Sequence, residues 1–344
     1  MKILIIMDPG ILIPVTGYGG HERLVDMFAK EYRRLGHEVH LLVTDGSYVP
    51  GCTMHGLGKV GFPPPKKDAL KTMLRAWKFL WRHRNKFDMV HNFGRLAYLI
   101  PILNNRVKKI MTYGRIIDGK NIRIINKLPH KNIVFTAPSD WCVSTGNTAG
   151  KWFTVYNAID YSLYTLSAAV REDAPLIFLS RLDKLKGAHE AIQAALATGN
   201  SLIIAGNRSS SPEEQEYYSK EIEPFIDGKQ ISYVGTLDDA GKNKYLGMAK
   251  GMLFPARTEE AFGMVMAEAM ACGTPVIAYN HSAMPEVVID GSTGFIVNTY
   301  SEMMDAIPKI SSLNRTQVRA VAEKRFDIKV IAQQYLNLFN SPNV

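Results

Sequence analysis

The residues best suited to chemistry lie in one segment, where Glu260 and Glu268 stand eight positions apart. Glu260 precedes a predicted helix, and Glu268 lies inside it. The free amides of its first turn, from Gly263 through Met264 to Val265, attract phosphate, and the helix dipole adds to this attraction. A carboxylate such as Glu268 accepts hydrogen bonds from vicinal hydroxyls, for example those of a ribose. The segment predicts a site for ribose, diphosphate and a transferred sugar; the alternative is a surface glutamate and an acid that stabilises the helix dipole.

A second candidate cluster consists of Arg181 and Lys186, which follow a predicted strand. Ligands of α/β proteins bind at the carboxyl ends of strands. Arginine binds phosphate oxygens through two parallel hydrogen bonds. The pair therefore favours a diphosphate site, and a solvated loop is the alternative.

A glycine-rich loop from Gly17 to Gly20 allows a ligand to approach the backbone closely. Its spacing differs from the dinucleotide fingerprint. The sequence also contains no D-x-D, no H-x-x-x-H, no G-x-S-x-G and no phosphate-binding P-loop. We therefore expect no metal and no cofactor. Three cysteines without paired spacing favour a reducing cytoplasm.

Two series of alternating strands and helices must position these residues. A continuous apolar run, Lys2 to Met7, begins the first series, and a run from Leu176 to Leu179 begins the second. Such runs are typical of strands covered on both faces. A length of 344 residues also suggests two domains. We predict an α/β protein with two doubly wound domains in series, and an amphipathic helix from Ala320 to Leu338.

The charge is divided unevenly. Residues 1–157 hold 24 basic and 10 acidic side chains, whereas residues 158–344 hold 17 and 22. A basic half suggests an anionic partner. A predicted helix after Pro63–Pro65 combines an apolar stripe with basic residues. The stripe consists of Leu70, Met73, Leu74, Trp77, Leu80 and Trp81, and the basic residues are Lys67, Lys71, Arg75, Lys78 and Arg82. The helix either packs its stripe on a sheet or lies on an anionic membrane.

Taken together, these segments resemble glycosyltransferase family 4, the retaining enzymes of the GT-B fold. The resemblance covers essentially the whole chain in the family's order. The matching motifs are Gly19-Gly20-His21-Glu22, Asn157-Ala158-Ile159-Asp160, Ser180-Arg181-Leu182 with Lys186-Gly187, Glu260 with Glu268 through Pro275, and Pro285-Glu286-Val287 with Asp290-Gly291 and Gly294-Phe295. The resemblance implies two Rossmann-like domains with a cleft between them. It places an acceptor domain at 1–157, a nucleotide-sugar domain at 158–319, and a helix at 320–344 that crosses back to the first domain.

The resemblance also implies residue roles. Arg181 and Lys186 would hold the donor diphosphate, Glu268 the nucleotide ribose and Glu260 the hydroxyls of the donor sugar. The loop glycines Gly19 and Gly20 and the backbone of Phe262, Gly263, Met264 and Val265 would also meet the donor. Tyr113 stands where many members carry a histidine that contacts the donor sugar. His91 is a candidate acceptor-site residue, or a histidine packed at a strand end.

The sequence thus predicts a metal-independent retaining transfer of a hexosyl unit from a nucleotide diphosphate sugar to an acceptor hydroxyl. Glu260, Arg181, Lys186, Tyr113 and His91 are the candidate catalytic residues. UDP is the first candidate nucleotide and GDP the second. The acceptor is a glycan, a lipid or a small molecule, and an anionic one fits the basic half. We expect no nucleic acid, a cytoplasmic location and peripheral contact with an anionic membrane. The alternatives are a nucleotide-sugar epimerase, a sugar phosphorylase, a polyanion-binding protein without activity, and a glycosyltransferase fold that has lost activity.

Overall fold

The computed structural model describes residues 1–15, 19–61, 66–146 and 149–341. The chain forms two compact units. Unit 1 consists of Met1–Ala158 and Ile328–Val344, and unit 2 consists of Ile159–Asp327. The chain therefore leaves unit 1 once and returns to it near its end.

Unit 1 contains a seven-stranded parallel sheet in the order β3-β2-β1-β4-β5-β6-β7. The central strands are apolar and buried on both faces, as expected for strands between two helical layers. The strands are β1 Lys2–Ile6, β2 Glu38–Thr44, β3 Thr53–Gly58, β4 Met89–Asn92, β5 Lys108–Thr112, β6 Ile133–Ala137 and β7 Trp152–Thr154.

Four helices join these strands: α1 Gly20–Arg34, α2 Lys66–Arg82, α3 Lys120–Asn126 and α4 Asp140–Gly146. A short 3₁₀ helix at Leu96–Ile102 lies between β4 and β5. The predicted loop residues Gly17 and Tyr18 and the segment 62–65 lie outside the described residues.

The predicted apolar stripe of α2 is wrong in part. Thr72, Ala76 and Leu80 are buried, whereas Leu70, Leu74 and Trp81 are exposed. The small side chains of Thr72 and Ala76 let the helix approach its neighbours closely. The larger apolar side chains of Leu70, Leu74 and Trp81 therefore face solvent.

Unit 2 contains a six-stranded parallel sheet in the order β10-β9-β8-β11-β12-β13. Its core combines the buried strands with helices such as α5 and α10. The strands are β8 Leu176–Leu179, β9 Leu202–Ala205, β10 Ile231–Tyr233, β11 Gly251–Phe254, β12 Val276–Tyr279 and β13 Gly294–Val297. The helices are α5 Ala188–Ala197, α6 Pro212–Glu221, α7 Asp239–Met248, α8 Met264–Ala271, α9 Met284–Val287, α10 Tyr300–Ala306 and α11 Arg315–Phe326. Short 3₁₀ helices occupy Tyr161–Leu163, Lys184–Lys186, Glu223–Phe225 and Ile307–Ser312.

The last helix, α12 Ile328–Asn340, belongs to unit 1 and packs on α1. The predicted single helix from Ala320 to Leu338 is two helices, because Asp327 takes an extended conformation between α11 and α12. Asp327 pairs with Ile159, so the points where the chain enters and leaves unit 2 are neighbours. The unit boundaries follow Ala158 and Asp327, whereas the sequence placed them after residues 157 and 319.

Candidate functional site

The candidate residues of unit 2 lie where the order of its strands reverses. β8 and β11 are neighbours in the sheet, although they are separated by two strands in the sequence. The loop after β8 carries Arg181 and Lys186, and the loop after β11 carries Glu260. Both loops leave the carboxyl edge of the sheet at this reversal, which is where open α/β sheets bind ligands.

The structure brings Lys186 and Glu260 into direct contact as an ion pair, and both side chains are largely buried. Arg181 is half exposed, and its guanidinium lies 2.8 Å from the carboxylate of Asp183. Burial, followed by the charge of Arg181, lowers the pKa of Lys186 to about 8, and the charge of Asp183 acts in the opposite direction. The site therefore holds two cations that a diphosphate could neutralise.

Helix α8 begins beside these cations and presents its amides without a side-chain cap. Its N-cap residue, Gly263, has a φ of +79°, a left-handed conformation that glycine adopts without strain. A Cβ at this position would also collide with the end of Met266. The uncapped amides of Met264 and Val265 and the positive end of the helix dipole form an anion-binding terminus.

Glu268 is the strongest ligand candidate in unit 2. Its carboxylate is 4% exposed, and Oε1 accepts a hydrogen bond of 2.8 Å from Lys242. Oε2 is buried without a hydrogen-bond partner among the described residues. The hydroxyl of Tyr164 lies beside the carboxylate. Burial, followed by the charge of Glu268 and with a hydrogen bond to that carboxylate contributing, holds the pKa of Tyr164 far above its usual value. A buried carboxylate oxygen without a close donor is costly, so Oε2 is a candidate acceptor for a ligand hydroxyl.

The side chain of Phe262 belongs to the core of unit 2. Its side chain is buried and packs edge-on against Phe326, with ring centroids 5.2 Å apart. Phe262 therefore anchors the loop before α8, and its backbone alone remains for ligand contact. Among the residues that the structure describes, no group of three His, Cys, Asp or Glu side chains is arranged to hold a metal ion.

In unit 1, Gly19 and Gly20 lie at the beginning of α1. Gly19 is the N-cap residue, and a Cβ there would lie 3.1 Å from the carboxylate of Glu22. Glu22 is itself buried, which raises the pKa of its carboxyl group. This loop therefore combines a close backbone approach with a desolvated acid.

His91 does not fit the expected role in acceptor binding. Its side chain is fully buried, with Nδ1 3.2 Å from the hydroxyl of Tyr32 and Nε2 2.9 Å from that of Thr112. Both ring nitrogens are thus already hydrogen-bonded, and the ring packs against Tyr335. Burial lowers the pKa of His91 to about 3. The structure favours the packed histidine, since no ring nitrogen is free for a substrate.

Tyr113 packs its ring near those of Phe135 and Trp152, at centroid distances of 6.4 and 5.8 Å. The imidazole of His21 lies against the next residue, Gly114, and hydrogen-bonds with its backbone. Any side chain at position 114 would overlap this ring. Burial, followed by the charge of Arg115, lowers the pKa of His21 to about 4, so the imidazole is neutral at pH 7. Sequence reasoning did not select His21 as a site residue.

Two family models match the chain. The model for "Glycosyl transferases group 1" matches residues 167–326, and the model for "Glycosyltransferase Family 4" matches residues 18–115. Together they cover about three quarters of the chain and contain the two site regions described above. The chain belongs to glycosyltransferase family 4.

Relatives and solved structures agree with this family. The chain is 31% identical to the phosphatidyl-myo-inositol mannosyltransferase of Propionibacterium freudenreichii subsp. shermanii over 48% of this chain and 40% of that protein. The chain thus matches less than half of that relative's length. A sucrose-phosphate synthase from Thermosynechococcus elongatus superimposes with a TM-score of 0.77 at 20% identity, over 98% of each chain. HepE of Anabaena, solved with UDP-glucose, superimposes with a TM-score of 0.71 at 18% identity, over 99% of each chain. The fold of this family 4 member is GT-B, with two parallel Rossmann-like sheets.

The structure also reveals residues that support the family 4 motifs and that sequence reasoning missed. Arg257 donates two hydrogen bonds to Glu190, of 2.9 and 3.1 Å, and the hydroxyl of Tyr279 donates to the same carboxylate. The backbone amide of Arg257 donates to the carbonyl oxygen of Leu185. This network fixes the loop that carries Lys186 to the loop that carries Glu260. No short motif connects these residues in the sequence.

Ser282 is a further residue that sequence reasoning missed. Its φ of 51° is in the left-handed region, which glycine adopts without strain. Its hydroxyl is buried without a hydrogen-bond partner among the described residues. The next residue, Ala283, donates its amide to the carbonyl oxygen of Glu260. A strained, unpaired hydroxyl next to Glu260 indicates a second ligand contact.

Proposed function

We propose that this family 4 member is a retaining hexosyltransferase that uses a nucleotide diphosphate sugar and needs no metal ion. The buried, unpaired Oε2 of Glu268 is the observation that carries the proposal. A ribose hydroxyl would supply the hydrogen bond that this oxygen lacks. The uncapped terminus of α8 lies four residues before Glu268, and the cations at 181 and 186 follow the neighbouring strand β8.

The proposed chemistry follows from charge. When the bond between the sugar and the diphosphate breaks, negative charge develops on the leaving phosphate. Arg181, Lys186 and the amides of α8 would stabilise this charge, as an oxyanion hole does in acyl transfer. The leaving phosphate oxygen would then accept the proton of the acceptor hydroxyl. Glu260 would hold hydroxyls of the donor sugar, and its contact with Lys186 would give way to the substrate.

UDP is the first candidate nucleotide, and GDP is the second. The complex of HepE with UDP-glucose supports UDP, since HepE shares the fold of this chain. The acceptor would be held by unit 1, in which the basic side chains are concentrated. A hydroxyl on a glycan, a lipid or a small molecule fits, and the name of the mannosyltransferase relative supports a lipid. We also propose a cytoplasmic location with peripheral contact of unit 1 at an anionic membrane.

Thermal shift assays with UDP, GDP, ADP, TDP and NAD in the presence of EDTA test the donor site. A nucleoside diphosphate at 100 times its Kd should add ~2.7 kcal/mol of stability. Glu268→Gln should weaken the affinity for that nucleotide by about 10- to 100-fold, because a charged hydrogen bond is lost. Glu216→Gln is a suitable control, since Glu216 is exposed on α6.

The outcomes separate the competing functions. A shift with one diphosphate that is clearly reduced in Glu268→Gln supports the donor site and narrows the sugar search to the conjugates of that nucleotide. Incubation of those conjugates without an acceptor then separates an epimerase from a transferase, and added inorganic phosphate reveals a phosphorylase. No shift with any diphosphate, together with salt-sensitive binding of polyanions, would replace the enzyme proposal.

A further inference from the structure

The positive excess of residues 1–157 lies entirely in one stretch of the chain. Residues 66–131 contain 17 basic and 3 acidic side chains, whereas the rest of residues 1–157 contains 7 of each. We call residues 66–131 the basic segment. The donor-binding residues of unit 2 do not use this charge, and neither do Gly19 and Gly20. The excess of basic side chains therefore favours an anionic partner other than the nucleotide sugar.

The basic segment also exposes large apolar side chains. Seven of the 17 exposed large apolar side chains in the described chain lie in it: Leu70, Leu74, Trp81, Ile100, Ile116, Ile124 and Leu128. They are interspersed with exposed cations on α2 and α3, such as Arg82 and Arg123. A solvated charged surface would need no tryptophan, and Trp81 is 60% exposed. Exposed aromatic and aliphatic groups among cations are typical of proteins that lie on anionic membranes.

These side chains belong to one layer of unit 1. Helix α2 packs on the 3₁₀ helix Leu96–Ile102, and this helix contacts α3. The indole nitrogen of Trp77 fixes the first contact through a hydrogen bond of 2.8 Å to the carbonyl oxygen of Ala97. Trp81, one turn later, faces solvent, and the guanidinium of Arg84 lies 5.0 Å from its ring centroid.

A shallow, open cavity of about 730 Å³ lies on the surface of this layer at the amino ends of β5 and β6. Three exposed cations line it, Arg84, Arg106 and Lys131, together with the apolar side chains of Ile100 and Leu128. Gly19, Gly20 and Tyr113 lie at the carboxyl edge of the same sheet. The cavity is therefore at the other end of unit 1 from the proposed substrate edge.

Hydrogen bonds hold the cavity walls in place. The side chain of Asn105 donates to the carbonyl oxygen of Arg84 at 2.7 Å, and that of Asn132 donates to the carbonyl oxygen of Arg106 at 2.8 Å. Beneath them lies Lys109, which is fully buried and donates to the carbonyl oxygens of Asn105 and Val107. No acidic side chain pairs with Lys109 among the described residues, and burial lowers its pKa to about 8. A buried lysine behind three exposed cations adds to the attraction for an anion.

We infer that this cavity binds the phosphate headgroup of an anionic phospholipid while Trp81, Ile100 and Leu128 enter the lipid surface around it. Two arginines bind phosphate oxygens through paired hydrogen bonds, and a lysine completes the charge. A free phosphate would not explain the apolar rim. The inference refines the proposed membrane contact of unit 1, and it is independent of the donor site in unit 2.

Vesicle binding of the full chain tests the inference. The probes are phosphatidylcholine vesicles with and without 30% phosphatidylglycerol. Removal of one cation near an anionic surface weakens binding by about fivefold. The triple variant Arg84→Gln, Arg106→Gln, Lys131→Gln should therefore bind phosphatidylglycerol vesicles ~100-fold more weakly. The matched control Lys229→Gln, Lys309→Gln, Lys324→Gln removes three exposed charges from unit 2 and should change binding by less than about threefold.

Tryptophan emission gives a second measurement. Trp81 should shift to shorter wavelength on phosphatidylglycerol vesicles and be quenched by brominated lipid, and Trp81→Phe should lose this response. Equal binding to both vesicle types, an equal loss in the control variant, or no difference between wild type and Trp81→Phe would overturn the inference. Full displacement by millimolar glycerol phosphate would show a soluble phosphate ligand instead. Failure here with an intact UDP thermal shift would remove the lipid site and leave the proposed transferase standing.

Discussion

Lys186 makes the donor site sensitive to pH. Burial and the charge of Arg181 lower its pKa to about 8, so the ammonium loses its proton just above neutral pH. A diphosphate needs the charged form. The protonated fraction falls about fourfold between pH 7 and pH 8.5. We expect the affinity for UDP to fall by about the same factor, as measured by calorimetric titration at both pH values.

Lys186→Arg provides the control for this prediction. A guanidinium stays charged throughout this pH range. The variant should therefore show less than about a twofold change between pH 7 and pH 8.5. If its affinity falls as steeply as that of the wild type, another group is responsible and Lys186 does not hold the diphosphate.

His91 should act on stability rather than on nucleotide binding. Its pKa is about 3 in the folded chain and ~6.5 in an unfolded one, so the unfolded state binds more protons between these values. Stability is therefore lost as the pH falls below 6.5, and His91 accounts for about 2 kcal/mol between pH 7 and pH 5. His91→Gln cannot titrate and should reduce this acid sensitivity in urea unfolding curves.

The comparison variant is His130→Gln, because His130 is exposed after α3. An exposed side chain contributes little to stability, so this variant should unfold at the same urea concentration as the wild type. A His91→Gln variant with unchanged acid sensitivity would contradict the packing role, and sugar transfer lost at unchanged stability would restore a catalytic one.

Among the elements, α8 contributes through its backbone amides. Proline is tolerated at the first position of a helix, where it removes one free N–H. Met264→Pro should therefore weaken UDP binding by about fivefold, the loss of roughly one hydrogen bond, and leave the melting temperature nearly unchanged. Asp239→Pro makes the same change at the first position of α7. An equal loss of affinity in both variants would argue against phosphate binding at α8.

The elements that the sequence predicts well are those with long apolar runs or strong periodicity. β1, β8 and α1 fall in this class, since their buried positions are apolar apart from Glu22 and Glu31 on α1. β3 and β13 were not predicted, because they are edge strands that begin or end with glycine. The exposed stripe of α2 could not be predicted either, because Ala76 and Thr72 pack where periodicity favoured leucine and tryptophan.

The candidate site also contains residues that the sequence predicts and residues that it does not. Arg181, Lys186, Glu260 and Glu268 lie in local motifs, and the adjacency of β8 and β11 brings their loops together. Lys242 could not be predicted as a site residue from the sequence, because its contact with Glu268 depends on how α7 packs on α8. The hydrogen bonds that occupy both ring nitrogens of His91 could not be predicted either, since Tyr32 and Thr112 are distant in the chain.

At the scale of the molecule, one unit is a single segment of the chain and the other is built from two segments. Unit 2 is one continuous segment, whereas unit 1 needs Ile328–Val344 to complete it. Tyr335 on α12 contacts the ring of His91, and Lys108 donates to the carbonyl oxygen of Phe339. All four tryptophans lie in residues 1–158. Tryptophan fluorescence therefore follows the unfolding of unit 1 alone.

A stop codon after Asp327 should lower the stability of unit 1 and leave that of unit 2 nearly unchanged. Loss of α12 uncovers the buried side chains of Phe28 and His91, and removal of a large core side chain alone costs about 3–5 kcal/mol. The midpoint of urea unfolding monitored by tryptophan fluorescence should therefore fall sharply. The stabilisation of unit 2 by UDP, measured by calorimetry, should persist, because Arg181, Lys186, the amides of α8 and Glu268 all lie within Ile159–Asp327. An unchanged unfolding midpoint of tryptophan fluorescence in the shortened chain would show that unit 1 does not need α12. Loss of the stabilisation by UDP would show that unit 2 alone does not bind the nucleotide.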